Sequence, residues 1–345
     1  MSAFSPPVSV PVQEVLSPTA LSSITRVFGH GPAGHFTPKG TYGYTHFVVD
    51  LPSSPQAVRK WTVLCHGLGT NLHVYDDLAA ALTSDGFHVL RYEFYNHGFS
   101  VGCSRNLPLN EEVMVTQVKE LLDFVCEEDE KVHNFVGHST GGIVSILAAH
   151  SPLLYSREIT NLGLVSPALY AEKPLVAQVA DQVPGMIKSL LDNGVPGVAF
   201  ALQDAYMKNN CIAFAKGPDG SYLFPDKFSA AEEFNKHMFK HHPFITGGIA
   251  GANLHMLTGA VCTKWRSLLT DIANNGVNGR TIQTRLIFGN KDIVVPFTSP
   301  HLKTLSALSN ITLVELDGLG HESLSENTAP IAEVLKKFLQ VSYDY

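Results

Sequence analysis

Three short segments of this sequence carry residue types that together could break a carbonyl bond. Gly137-His138-Ser139-Thr140-Gly141 follows the apolar pair Phe135-Val136 and leads into Ile143-Val144-Ser145-Ile146-Leu147. A G-x-S-x-G segment between a strand and a helix lifts the serine hydroxyl on a tight turn, and Gly137 and Gly141 let the backbone bend without clashes. The helix start behind it offers unpaired N–H groups and the positive end of a helix dipole to a developing oxyanion. Ser139 is the candidate nucleophile. A serine hydroxyl at its ordinary pKa attacks poorly, so it needs a base within reach and an acid that orients the base.

On a strand-turn-helix scaffold the order along the chain is serine, acid, histidine. Thr284–Phe288 leads into Gly289-Asn290-Lys291-Asp292-Ile293-Val294-Val295-Pro296, and Thr312–Leu316 leads into Asp317-Gly318-Leu319-Gly320-His321. Each polar residue then follows the C-terminal end of a strand, on the rim where open α/β sheets bind ligands. Asp292 is the candidate acid and His321 the candidate base. Asp317 is the alternative acid, although it stands only four residues before His321 in the same loop. His138, beside the serine, reads as a packed histidine more readily than as a base.

An oxyanion requires two donors. The N–H of Thr140 is one, and the other is expected from the turn after Trp61–Cys65, which reads His66-Gly67-Leu68-Gly69-Thr70-Asn71. Leu68 N–H is the candidate, because glycines on both sides let the backbone face a pocket. That turn carries neither G-x-G-x-x-G nor a Walker lysine, so nicotinamide and P-loop chemistry are not expected. The reaction read from these residues uses no metal and no organic cofactor.

These residues must be positioned by a scaffold, and the chain supplies one. Candidate strands are Thr45–Leu51, Trp61–Cys65, His88–Tyr92, Asn134–Gly137, Leu162–Val165, Thr284–Phe288 and Thr312–Leu316. Candidate helices are Val74–Thr83, Glu111–Cys126, Gly141–Ala149, Pro300–Leu308 and Ala329–Leu339. In the second of these Val115, Val118, Leu122 and Val125 form one apolar stripe. Strands alternating with helices imply a mostly parallel sheet with helices on both faces. The alternation lapses between about Ala168 and Arg280, where an insertion is more economical than a loop of that length. The Pro- and Ser-rich residues 1–22 read as a flexible tail outside the fold. The expected organisation is a core of residues 23–167 and 280–345, interrupted by a cap at 168–279.

The chain has 345 residues, with 24 Lys+Arg against 31 Asp+Glu, a net charge of −7. That sign is wrong for a general nucleic-acid binder. With 16% charged and 45% hydrophobic residues the chain has the makings of a core rather than of disorder or a coiled coil. Five cysteines, Cys65, Cys103, Cys126, Cys211 and Cys262, form no C-x-x-C pair, so neither a disulfide framework nor a zinc ribbon is indicated. No apolar run approaches a transmembrane length, and no basic stretch precedes an apolar one at the N-terminus. The expected location is the cytoplasm.

The set His66-Gly67, Gly137-x-Ser139-x-Gly141, Asp292 before Val-Val-Pro, and Gly320-His321 resembles the α/β-hydrolase superfamily over residues 40–167 and 280–340. Glu93-Phe94-Tyr95-Asn96-His97-Gly98-Phe99-Ser100-Val101-Gly102 is similar to that family's D-x-x-G-H-G-x-S-x-G turn, with Glu93 in place of Asp and Asn96 in place of Gly. Tyr75, Leu78-Ala79, Leu82 and Gly86-Phe87 look most like monoacylglycerol lipases and related carboxylesterases. The resemblance implies a mostly parallel, eight-strand-type sheet flanked by helices, with a mainly helical cap inserted after the sixth strand. It implies a serine hydrolase acting on a small-molecule ester with an apolar acyl group through an acyl-enzyme.

Thioesters, amides and the C–C bond of a diketone are open to the same triad, and a slow-turnover receptor of the same fold is a reading from another class. A binding set for a free amine, as a peptidase of the fold would carry, is not evident in the sequence. Apolar residues of the insertion, among them Phe200, Leu202, Phe239 and Phe244, suit an acyl pocket. Gly247, Gly248 and Gly251 read equally as hinges or as a tight turn. The run Lys236-His237-Met238-Phe239-Lys240-His241-His242 lacks a carboxylate or cysteine at ligand spacing and reads as a basic helix end that could touch a membrane surface, not a metal site. The oligomeric state is not legible. Activity is expected to fall as His321 is protonated below roughly its reference pKa of about 6.5.

Overall fold

Side chains that alternate along a strand point to opposite faces of its sheet, and here that alternation divides the interior into two apolar layers. The computed structural model describes residues 9–16, 32, 34–53, 60–67, 70–95, 97–103, 107, 109–169, 259–292, 295 and 300–340. Its strands are β1 His35–Phe36, β2 Gly43–Tyr44, β3 His46–Asp50, β4 Lys60–Cys65, β5 Phe87–Tyr92, β6 Val101–Gly102, β7 Asn134–His138, β8 Asn161–Val165, β9 Gln283–Gly289 and β10 Ile311–Leu316. Eight of them form one sheet in the order β1-β3-β5-β4-β7-β8-β9-β10, and β2 pairs separately with β6. β1 and β3 run antiparallel to their neighbours, while every pairing from β5 to β10 is parallel.

Trp61, Val63, Leu90, Phe135, Leu162, Leu286 and Phe288 face one layer. Leu64, Phe87, Val89, Val136 and Ile287, their neighbours along the same strands, face the other. The first layer is closed by α2 Glu111–Val125, α3 Thr140–His150 and α4 Gly259–Asn275. The second is closed by α1 Asp76–Ser84 and α7 Thr328–Gln340, through Leu78, Leu82, Ile331, Leu335 and Leu339. Of two short helices, α5 Pro300–Ser306 adds Leu302 and Leu305 to the first layer and α6 Ser323–Glu326 adds Leu324 to the second. The stripe read from α2 is buried in full, and Asn110 caps that helix by accepting the Val113 N–H at 3.0 Å. Residues 140–149 of α3 are all buried, which explains its apolar sequence on every side.

All seven expected strands are present, with ends shifted by a residue or so. β1, β2 and β6 were not expected, because two residues are too few to show a period. The expected helix Val74–Thr83 begins as a 3₁₀ turn, Leu72–Tyr75, which Asn71 caps by accepting the His73 N–H. Two expectations need correction. The tail of residues 1–22 was placed outside the fold, yet within it Val10 N–H donates to Phe36 O at 3.2 Å, and Leu16 packs with Phe36 and Phe99. The cap was expected to run to 279, yet α4 sends Trp265, Leu269 and Ile272 into the first layer. β8 is the sixth strand of the large sheet along the chain and β9 the seventh, so residues 166–282 connect adjacent parallel strands. The rest of the expected cap, 170–258, with its apolar, histidine-rich and glycine segments, lies outside the described residues.

Because Leu269 is fully buried against the sheet, Leu269→Ala is expected to cost about 2–5 kcal/mol of stability. Urea unfolding checks this, and a loss below about 0.5 kcal/mol, the usual range of surface substitutions, would mean that α4 is not part of the core.

Candidate active site

The C-terminal ends of β4, β7, β9 and β10 lie along one rim, and each is followed by residues singled out from the sequence. His66 and Gly67 follow β4, Ser139 follows β7, Asp292 follows β9, and His321 follows β10.

Ser139 has φ 51° and ψ −115°, a left-handed backbone that a residue with a Cβ adopts only when its surroundings force it. Its N–H donates to Val165 O at 2.9 Å, and its own carbonyl accepts N–H bonds from Gly142 and Ala168 at 3.0 and 3.1 Å. The turn is tight enough that a Cβ at Gly141 would stand 1.8 Å from the Cys65 carbonyl oxygen. One at Gly137 would stand 2.1 Å from the carbonyl oxygen of Gly141. Any side chain at either position would push β4, β7 and the first turn of α3 apart. Tyr75 secures the same corner, its hydroxyl donating to Cys65 O at 2.7 Å. Thr140 is the first residue of α3, where an N–H has no acceptor one turn back.

His321 Nε2 lies 3.1 Å from Ser139 Oγ, and His321 Nδ1 lies 3.0 Å from Asp292 Oδ2. The other oxygen of Asp292 accepts the Val295 N–H at 2.8 Å, and both Asp292 and His321 are buried. With a carboxylate on Nδ1, that nitrogen carries the proton and Nε2 is free to accept one from the serine. The structure brings Asp292 rather than Asp317 to the ring. Asp317 is exposed, and its Oδ1 accepts a bond from Asn290 Nδ2 at 2.7 Å.

The electrostatics differ from the sequence expectation. Burial drives the His321 pKa down, but the Asp292 carboxylate and then Glu322 and Glu326 outweigh it and raise the pKa above the ordinary histidine range. Burial likewise opposes ionisation of Asp292, yet the charge and hydrogen bond of His321 and the Val295 N–H hold it below the usual carboxylate range. Glu326, pushed up to about 7 chiefly by burial, accepts the Gly320 N–H at 2.6 Å just before His321. Neither glutamate was singled out from the sequence. Their spacing from His321 across the start of α6 was the available signal.

His66 has a supporting place. Its Nε2 accepts the Phe94 N–H at 3.0 Å, so Nδ1–H donates to Gly67 O at 2.7 Å, and burial holds the ring neutral by pulling its pKa well down. Thr70 Oγ1 donates to the same carbonyl at 2.9 Å. Leu68, the expected second oxyanion donor, lies outside the described residues, as does Asn96. Glu93, which replaces an aspartate of the resembled turn, accepts from His46 Nδ1 at 2.9 Å and from the Phe99 N–H. Its longer side chain fits because Gly98, at φ +52°, leaves the space that a Cβ would take. His138, His321 and Glu322 each place a ligand atom within 4.8 Å of the others, the one such metal-sized group among the described residues. Both ring nitrogens of His321 are engaged by the serine and Asp292, and Nε2 of His138 is engaged by His321 O at 2.8 Å, so this set fits a hydrogen-bonded site better than a cation centre.

The whole arrangement can move one proton from a hydroxyl to an imidazole and stabilise the charged ring. Known proteins share both the fold and parts of the sequence. The chain is 31% identical over 140 residues to "Monoglyceride lipase" of Mus musculus, which is 38% of this chain and 45% of that protein, so the match spans less than half of the relative's length. It is 27% identical over 281 residues to "Putative carbamate hydrolase RutD" of Pseudomonas syringae pv. syringae (strain B728a), covering 80% of this chain and 92% of that one. The enol-lactonase from Burkholderia xenovorans LB400 has the same fold, with a TM-score of 0.62 at 20% identity over 88% of this chain and 99% of the other. The family description Hydrolase_4, "Serine aminopeptidase, S33", matches residues 56–328, most of the chain. The chain belongs to this family of α/β hydrolases.

Proposed function

We propose that the protein is a serine hydrolase that cleaves a small carboxylic ester with an apolar acyl group, by way of an acyl-enzyme on Ser139. The observation that carries this reading is the unbroken chain from Ser139 Oγ through His321 to Asp292, built on a strained turn at the sheet's C-terminal rim. In the first step Oγ attacks the ester carbonyl carbon while its proton passes to His321 Nε2. The carbonyl oxygen becomes an oxyanion, which the N–H groups of Thr140 and, as read from the sequence, Leu68 stabilise. His321 then gives the proton to the leaving alkoxide as the C–O bond breaks. Water repeats the sequence to release the acid and restore the serine. Asp292 keeps its charge and holds the imidazolium.

A serine nucleophile favours an acyl intermediate over epoxide or halide chemistry, which the fold performs with a carboxylate. The relatives named for monoglyceride and carbamate substrates are consistent with ester-like carbonyls. Among the described residues no helix is long and apolar enough to cross a membrane.

Ser139→Ala is expected to lower hydrolysis of p-nitrophenyl esters by at least about 10³-fold and to abolish labelling by a fluorophosphonate probe. A panel of esters of graded chain length, a thioester, a carbamate and an aminoacyl anilide separates the substrate classes. Undiminished turnover by the alanine variant would overturn the assignment.

The base must be neutral to act, and its pKa is raised, so the rate should climb with pH through a midpoint above about 6.5 rather than at it. Glu326→Gln removes one of the charges responsible while keeping an acceptor for Gly320, and should bring the kcat midpoint down by about half a unit. A midpoint at or below 6.5 in the native enzyme, unmoved by that substitution, would contradict this electrostatic account.

A further inference from the structure

His138 stands immediately before the nucleophile, and its ring is 1% exposed. Its Nε2 lies 2.8 Å from the main-chain carbonyl of His321, 183 residues further along the chain. A carbonyl only accepts, so Nε2 carries the proton, and the neutral ring keeps a bare lone pair on Nδ1. Burial lowers the ring's pKa, which keeps it in that neutral form. Nδ1 has no partner, and Gly67 approaches so closely that a Cβ there would lie 2.8 Å from it. A buried acceptor left bare costs about 1–3 kcal/mol, so packing alone would be better served by an apolar side chain of similar size. The donor on the other side of the ring is what such a side chain could not provide.

The loop that carries His321 is tied firmly to the acid's loop. Lys291 N–H donates to Leu319 O at 2.8 Å, Asn290 N–H to Leu316 O at 3.0 Å, and Gly318 N–H to Asn290 Oδ1 at 3.0 Å. The tie to the nucleophile's strand is thinner. Among the described residues, two hydrogen bonds cross from β7 and its turn to the base loop: Ser139 Oγ with His321 Nε2, and His138 Nε2 with His321 O. The first is broken and remade during turnover, so the second is the one that can hold the register throughout.

We infer that His138 is a positioning residue for the proposed reaction: its Nε2–H holds the His321 main chain, and so sets where the imidazole stands relative to Ser139. This rests on the hydrolase reading above. Its contribution falls on the chemical step, because an imidazole displaced by an ångström no longer meets the hydroxyl along its lone pair, while the surface that binds substrate is unchanged. Such misplacement costs about 10²-fold in rate.

Three measurements test it. His138→Met fills the same space without a donor, and should lower kcat by about 10²-fold with KM changed by less than about threefold, and slow fluorophosphonate labelling in parallel. His138→Gln, whose amide can reach the same carbonyl, should recover most of that loss. In the native protein, ¹⁵N spectroscopy should find His138 protonated on Nε2 and bare on Nδ1, a reading that needs no variant to fold. An unchanged kcat in the folded Met variant, an equal loss in Met and Gln, or the opposite tautomer would each overturn the inference. Native protein that neither hydrolyses esters nor takes the probe would overturn the function itself, and the role of His138 with it.

Discussion

The left-handed backbone of Ser139 is the constraint on which the site depends. A non-glycine residue in such a conformation costs about 1–3 kcal/mol and persists only where its neighbours permit nothing else. Here the neighbours are backbone. The first turn of α3 lies so close to the Cys65 carbonyl, and its Gly141 carbonyl so close to Gly137, that no Cβ fits at 137 or 141. Three main-chain hydrogen bonds hold the serine's own amide and carbonyl. That packing is possible because β4 and β7 are adjacent and parallel, with Cys65 opposite Gly137, so both strands end at one level. Two apolar layers hold the strands in place, and the strain is met by burial far from the serine.

The same buried corner governs the electrostatics. Several titratable rings sit behind the rim, and the structure sorts them by their partners. His66, His97 and His138 find backbone groups and are kept neutral by burial, with His97 pushed down to about 4. His321 finds a carboxylate, with two glutamates beyond it, and goes the other way. A histidine whose ring is held by backbone groups gains too little from them to offset burial, and stays neutral. A histidine facing carboxylates becomes a stronger base, at the expense of being protonated more readily near neutrality.

Much of this was legible in the sequence because the decisive signals are local. Ser139 lies within a six-residue strand-to-helix pattern, and Asp292 and His321 follow β-branched runs long enough to show as strands. What escaped detection depends on tertiary contact. β1, β2 and β6 are too short for periodicity and exist because of the strands beside them. Residues 9–16 look like tail, yet Leu16 finds Phe36 and Phe99. α4 was absorbed into the insertion because its mixed composition signals a helix weakly, although Trp265, Leu269 and Ile272 lie on one face at helical spacing. The raised pKa of His321 could not be read from its neighbours in sequence without knowing that α6 turns Glu326 back toward Gly320.

A connection as long as that between β8 and β9 costs the sheet little, and the reason is thermodynamic. Closing a flexible connection costs free energy only as the logarithm of its length, about 0.6 kcal/mol per doubling. The parallel pairing of β8 with β9 and the bonds between the loops after β9 and β10 fix the positions of Asp292 and His321 whatever lies between. Ser139 precedes the connection and Asp292 and His321 follow it, so the two parts of the candidate site meet through the sheet. In a fold built this way, the chemistry belongs to the sheet and its close-packed turn, and the choice of substrate belongs to whatever residues approach the rim from outside it.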